Sequence, residues 1–266
     1  MSQQYEKKSY HRGPRKKKKK QGIISTIVLI VALCVFGFSA FQLYQIFKGY
    51  KDGDDEYGDI QKVAITKEEP DEDGDEKYRV DFDELRKINP DVVAWIRFDQ
   101  PEVINYPVVQ GRDNEEYLHK TFKGYDNTVG TIFVNVGNHP DFNDRNTIIY
   151  GHYMYNGTMF NELEEYKDEA FYKENPFFYI YTPDGAELKY QIYSAGSVVD
   201  TSESYTYEFA DDASFEHFIE TTKSISWYDT GLIPNTEDRI VTLSTCTKEN
   251  NENRTVIHGV LVEVTH

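Results

Sequence analysis

Residues 23–47, IISTIVLIVALCVFGFSAFQLYQIF, run for 25 residues without a charge. As a helix this stretch extends about 37 Å, enough to cross a hydrocarbon core about 30 Å thick with some tilt. A cleaved secretory signal is the competing reading, but its apolar region is only about 7–15 residues long and ends in small residues at a cleavage site. Gly37-Phe-Ser-Ala40 is a poor version of such a site, and the apolar run continues past it. We therefore read 23–47 as an uncleaved transmembrane signal anchor and 1–22 as its tail. Nine Lys and Arg against the single Glu6 in that tail predict a cytoplasmic N-terminus by the positive-inside rule. The remainder is then expected outside the cell, held by a single pass through the membrane.

Of the chain's 29 basic and 46 acidic residues, nine and one precede residue 48, which leaves 20 and 45 in residues 48–266. So negative a surface argues against nucleic acid and anionic lipid as its partners. Beside a membrane span, the lysine run 16–20 reads as an orientation signal. Cysteine is then the informative residue. There are two, and Cys34 lies in the apolar run, so Cys246 is the single thiol beyond it. Exterior domains usually pair their cysteines or lack them. Composition leaves two readings of Cys246 open, a small buried hydrophobe or a reactive nucleophile.

Residues 48–77 are rich in Asp, Glu and Gly and predict a solvated acidic linker. Their acids lack the spacing of a calcium loop. The ~190 residues from 78 to 266 suffice for one domain with a real core. Asp81 and Glu84 stand at capping-box spacing before a short helix that ends near Asn89-Pro90. Short β-rich runs follow at 92–98, 103–109, 130–136, 146–152, 177–182, 188–199, 239–245 and 254–264, with turn chemistry at Pro183-Asp-Gly185. Stretches 157–174 and 211–225 look helical. The pattern predicts a mainly β (α+β) domain, a closed or nearly closed barrel with helical decorations. The 21 Tyr and 16 Phe lack an interleaved basic stripe and read as core and groove lining.

A reactive thiol needs a group that handles protons and another that steadies the oxyanion formed when a carbonyl is attacked. Beyond the apolar run the histidines are His119, His139, His152, His217, His258 and His266. His152 closes the strand-like NTIIYGH and opens the loop YMYNG, where barrel loops build sites. His119 and His217 sit in polar helix-like stretches, His139 in a loop, His258 in a strand pattern and His266 at the terminus. Arg254 follows Cys246 across the polar TKENNEN, a segment that reads as a loop joining two strand ends. Its fork of donors suits a carbonyl oxygen gaining charge; by itself, the default reading is a surface cation.

TLSTC, with Arg254 behind it and YGHYM far upstream, resembles the signature of sortases, the cysteine transpeptidases of Gram-positive cell surfaces. The resemblance is closest to class B. FDELRKINPDVVAWIRF, INYPVVQGRDNEEYLHKTFKGYDNTVGTIFV, NTIIYGHYMYNGTMFNELEEY and FFYIYTPDG follow its pattern, over roughly residues 80–264. It implies a sortase-type closed β-barrel of about eight strands with an N-terminal helix and inserted helices. It also implies Cys246 as nucleophile, His152 as general acid or base, and Arg254 as stabiliser of carbonyl and oxyanion. Asn114 and Leu118 match positions lining the class B substrate groove, and Ser244 and Thr245 are expected to line it too. The segment between GSVV and the last helix is expected to close one groove wall, with Tyr205 and Tyr207 both candidates to face substrate. No metal and no cofactor are implied.

The implied reaction cleaves a C-terminal sorting signal, of Thr-Gly or Thr-Asn type, through a thioacyl-enzyme. The secreted protein is then transferred to an amine of the peptidoglycan precursor. Expected partners are signal-bearing surface proteins, the lipid II-type amine, and the membrane through residues 23–47. Pilin polymerisation and a membrane-anchored cysteine peptidase using water are the alternatives. A non-catalytic adhesin fits the acidic stalk but leaves the thiol, the histidine loop and the arginine unexplained. An L,D-transpeptidase needs a Ser-x-Gly-Cys run, which this sequence lacks.

Overall fold

The computed structural model describes residues 17–67, 78–246 and 253–266. The chain divides into two compact units, residues 1–48 and 49–266, and helix α1 (Lys17–Ala64) contributes to both. In the first unit the side chains from Gly22 to Lys48 are exposed. The helix is long and apolar enough to cross a membrane, and a helix satisfies its own backbone polar groups, as hydrocarbon requires.

The second unit begins with the remainder of α1, and here the linker expectation fails for residues 49–67. Tyr50, Gly53, Tyr57, Ile60 and Ala64 recur every three or four residues, the period of a helix face. Gly53, Tyr57, Ile60 and Ala64 are buried, while most of the acids between them face solvent. The Tyr57 ring meets Tyr106 edge-on at 5.4 Å. Strand β1 (Ile65–Lys67) then pairs antiparallel with β2 (Tyr78–Val80). Residues 68–77, the rest of the expected linker, lie outside the described residues.

Helix α2 (Phe82–Ile88) starts where its cap predicts, Asp81 accepting from the Asp83 and Glu84 amides at 3.1 and 3.0 Å. Eight strands follow: β3 (Val92–Phe98), β4 (Asn105–Val109), β5 (Ile132–Val134), β6 (Asn146–Tyr150), β7 (Phe177–Tyr181), β8 (Glu187–Val199), β9 (Ile240–Cys246) and β10 (Asn253–Thr265). They close into a barrel in the order β10-β8-β7-β3-β4-β5-β6-β9. Neighbours are antiparallel except β4–β5 and β6–β9. Each strand matches one of the β-rich runs. The 157–174 stretch instead splits into a 3₁₀ segment, Asn161–Lys167, and α3 (Glu169–Glu174). Asp168 leaves helical backbone between them, and its side chain caps α3 by accepting from the Ala170 amide. Helix α4 (Asp212–Ser224) is held by a capping box between Asp211 and Ser214.

Inside the barrel, Phe178 stacks between Phe98 and Tyr190 at 5.3 and 5.1 Å. Gly259 leaves the room for this, because a Cβ there would stand 2.4 Å from the Phe178 ring. A second apolar cluster forms where α4 lays Phe215, Phe218 and Ile219 against Tyr193, Ile240 and Val260. His258 lies beside it, fully buried, 5.8 Å from the Tyr193 ring and 6.3 Å from Phe218. Neither of its ring nitrogens has a partner among the described residues. Burial pushes its pKa down to about 3.

Gly259→Ala should destabilise the chain by ~1–3 kcal/mol through overpacking, read as a lower urea midpoint at unchanged slope. For His258 the sign follows from the unfolded chain, whose histidine takes up a proton below about pH 6.5 while the folded ring stays neutral to about pH 3. Stability from this group is complete above about pH 6.5 and falls on acidification by ~1.4 kcal/mol per pH unit. Denaturation followed from pH 7 to 5 should show that fall, and His258→Leu should flatten it.

Candidate active site

Strands β6, β9 and β10 lie side by side. β6 runs parallel to β9 with Tyr150 opposite Ser244, and the Gly151 amide extends the ladder by donating to the Ser244 carbonyl at 3.1 Å. Two residues beyond that pair stand His152, just past the end of β6, and Cys246, the last residue of β9. β10 runs antiparallel to β9 with Arg254 directly opposite Cys246. Register alone thus gathers His152, Cys246 and Arg254 at one end of three adjacent strands, with about 4.8 Å between neighbouring backbones. The polar segment 247–252 between cysteine and arginine lies outside the described residues. Of the other histidines, His139 faces Asp144 at 2.8 Å and His217 faces Glu203 at 3.3 Å. His119 stacks 6.4 Å from the His152 ring.

His152 is half-buried, with Nε2 2.7 Å from the Leu118 carbonyl. A carbonyl accepts only, so Nε2 carries a proton and donates, and in the neutral ring Nδ1 is the basic nitrogen. Burial pushes the pKa below the usual histidine value; the Leu118 carbonyl opposes this and His119 reinforces it. The ring is therefore neutral at neutral pH and ready to accept a proton at Nδ1. Gly130 permits this geometry. Its φ is +63°, and a Cβ there would stand 2.9 Å from both the His152 ring and the Leu118 carbonyl.

Leu118, matched to the groove, also acts on His152 through its backbone. It ends a 3₁₀ turn, Glu116–Leu118, clamped by Glu116, which accepts from Arg112 Nε at 3.0 Å and Lys120 Nζ at 3.1 Å. Arg112 first, and Lys120 with it, draw the Glu116 carboxyl pKa down to about 2. Asn114 Oδ1 accepts from the Val136 amide at 2.8 Å and so ties this segment to the loop after β5. Ser244 and Thr245, expected along the groove, are each only 2% exposed. The Ser244 hydroxyl lies 2.8 Å from the Tyr205 hydroxyl, and Thr245 Oγ1 has no partner among the described residues. Tyr205, stacked 6.2 Å from Tyr150, is thus tied to β9, whereas Tyr207 lies against Gly137. Sequence reading does not reach Gly130 or Tyr57, whose hydroxyl donates to the Gly130 carbonyl at 2.6 Å. The spacing of Gly53, Tyr57 and Ile60 is the signal that finds the latter.

The sortase domain model matches residues 97–262. Sortase B of Listeria monocytogenes is 34% identical over 230 residues, which is 82% of this chain and 92% of that protein. Sortase B from Bacillus anthracis in complex with AAEK1 is similar with a TM-score of 0.71 at 32% identity, covering 82% of this chain and 100% of that one. The Staphylococcus aureus sortase B–substrate complex gives 0.64 at 31% identity, covering 68% of this chain and 84% of that one. The family match, the relatives at this identity and the eight-stranded closed barrel agree, and the chain belongs to the sortase family of cysteine transpeptidases, as a class B member.

Proposed function

We propose that Cys246 is the nucleophile, His152 the proton carrier and Arg254 the oxyanion stabiliser of this transpeptidase. The observation that supports this is the register, which pairs Cys246 with Arg254 on one side and runs β9 beside β6 on the other, with His152 two residues past the end of β6. Cys246 attacks a backbone carbonyl of the sorting signal, and its thiol proton passes to His152 Nδ1. The imidazolium then protonates the departing amine as the peptide C–N bond breaks, leaving a thioester. Burial that depresses the His152 pKa makes the imidazolium the stronger acid, which suits donation to an amine. Arg254 faces the carbonyl oxygen as charge develops there. A primary amine next attacks the thioester, His152 takes its proton, and the thiolate departs.

The substrate in this reading is a C-terminal sorting signal of Thr-Gly or Thr-Asn type, laid along a groove bordered by Asn114 and Leu118, with Ser244 and Thr245, each only 2% exposed, backing it from β9. A substrate complex of the S. aureus relative on the same barrel supports a peptide groove. The acceptor is an amine of the cell-wall precursor. Residues 23–47 anchor the enzyme by a single pass, with residues 1–22 cytoplasmic and the catalytic domain, 78–266, outside, preceded by the helix and strand of 49–67. Confinement to the membrane face raises the effective concentration of exported protein and lipid-linked amine.

Full-length protein in detergent, incubated with a panel of Thr-Gly and Thr-Asn peptides, should gain the mass of the N-terminal peptide fragment, and Cys246→Ala should gain none. Failure of every peptide while Cys246 is freely alkylated defeats the assignment. Arg254→Lys keeps the charge but loses the fork, and should lower the acylation rate on the order of 10²-fold. Added amine should convert the released product from acid to amide. A product ratio indifferent to amine would make the enzyme a hydrolase, and preference for a pilin lysine would make it a polymerase.

A further inference from the structure

Tyr57, on the part of α1 that packs against the barrel, is 4% exposed. Its hydroxyl donates to the Gly130 carbonyl at 2.6 Å and lies 3.1 Å from Thr131 Oγ1. Gly130 stands against both the His152 ring and the Leu118 carbonyl that accepts from that ring. Thr131 carries the connection onward, its amide donating to the Tyr117 carbonyl at 2.9 Å and its hydroxyl to the Lys120 carbonyl at 2.7 Å. The segment holding Leu118 is therefore fastened on both sides to the two residues that Tyr57 holds. Close-packed interiors transmit displacement rather than absorb it, so a small shift of Gly130 moves either the imidazole or its acceptor.

We propose that Tyr57 is a positioning residue for His152, its hydroxyl fixing the Gly130–Thr131 backbone that sets the ring's tilt and its Nε2–Leu118 hydrogen bond. The assignment rests on the reading of His152 as proton carrier. A phenylalanine in its place would keep the edge-on contact with Tyr106. What it would remove is the donor to a carbonyl set deep beside the imidazole. The helix that continues from the apolar segment thus contributes to the proton-transfer geometry as well as to the barrel's packing.

The test uses full-length protein in detergent, labelled with nitrogen-15 at histidine, in three forms: wild type, Tyr57→Phe and Gln61→Ala. Gln61 lies on the same helix face and donates to the Asn105 carbonyl at 2.7 Å, away from His152, so it controls for helix docking. Tyr57→Phe should move the His152 ring resonances and lower kcat for thioacyl formation roughly three- to tenfold. KM should stay within about twofold and Tm close to wild type. Gln61→Ala should move neither the ring signals nor kcat. Wild-type ring resonances in Tyr57→Phe overturn the proposal, as does a kcat loss that Gln61→Ala reproduces. Should the wild type form no thioacyl adduct, the proposed reaction falls, while the ring resonances still decide the positioning.

Discussion

From Asn146 to Tyr150 the backbone of β6 pairs with Ile240–Ser244 of β9 in parallel register, and a slip of one residue would reverse which side chains face the core on either strand. Side chains pin the pairing. Asn146, fully buried, accepts from Thr242 Oγ1 at 2.8 Å and donates to the Thr206 carbonyl at 2.8 Å. Buried polar groups are costly unless matched, so this one register satisfies Asn146 and the apolar faces together. From it follow the closure of the barrel, the level of His152 against Cys246, and the place of β10 with Arg254 on the far side of the cysteine. Ladder geometry pairs Cys246 with Arg254, and the end of β6 delivers His152 to the same end of the sheet.

Two histidines among the described residues have depressed pKa values, and they differ instructively. His258 is fully buried among aromatic rings, with no partner for either nitrogen among the described residues; it packs, and it adds a pH dependence to stability. His152 is only half-buried, and a backbone carbonyl fixes which nitrogen holds the proton. Desolvation shifts both, but only His152 has a carbonyl partner that fixes its tautomer and a place beside the strand ends, which is why the proposed chemistry falls to it. The surroundings of His152 are held by charge as well as packing. Glu116, gripped by Arg112 and Lys120, keeps the turn that presents the Leu118 carbonyl.

Much of this was legible from sequence. The apolar run declares itself by length, and the strands by β-rich runs between turns. TLSTC, the histidine loop and Arg254 stand out in the sequence by residue type, and the proposed roles rest on that together with the strand register. The helix over 49–64 was not, since a narrow stripe of Tyr50, Gly53, Tyr57, Ile60 and Ala64 is diluted by the acids around it. Averages over a window report solvation, whereas packing depends on period. The break at Asp168 was hidden for a related reason, because a capping aspartate inside a helical pattern resembles an exposed helix residue. The Leu118 carbonyl is beyond any residue-type argument, as every residue has one. The partners of Tyr205 and Tyr207 needed the fold, which sets Tyr205 beside Ser244 and Tyr207 against Gly137.

The parallel pairing also orders the chain's assembly. Antiparallel neighbours such as β7 and β8 are close in sequence and can meet early, whereas β6 and β9 join groups as far apart as Asn146 and Thr242, 96 residues along the chain. Contacts of such separation carry a larger loop-closure entropy and slow folding. The seam that sets His152 level with Cys246 is thus among the later contacts to form. In a chain caught before that closure, Cys246 and His152 stand on segments not yet joined. On the roles proposed for these residues, chemical competence arrives only when the ring of strands is complete.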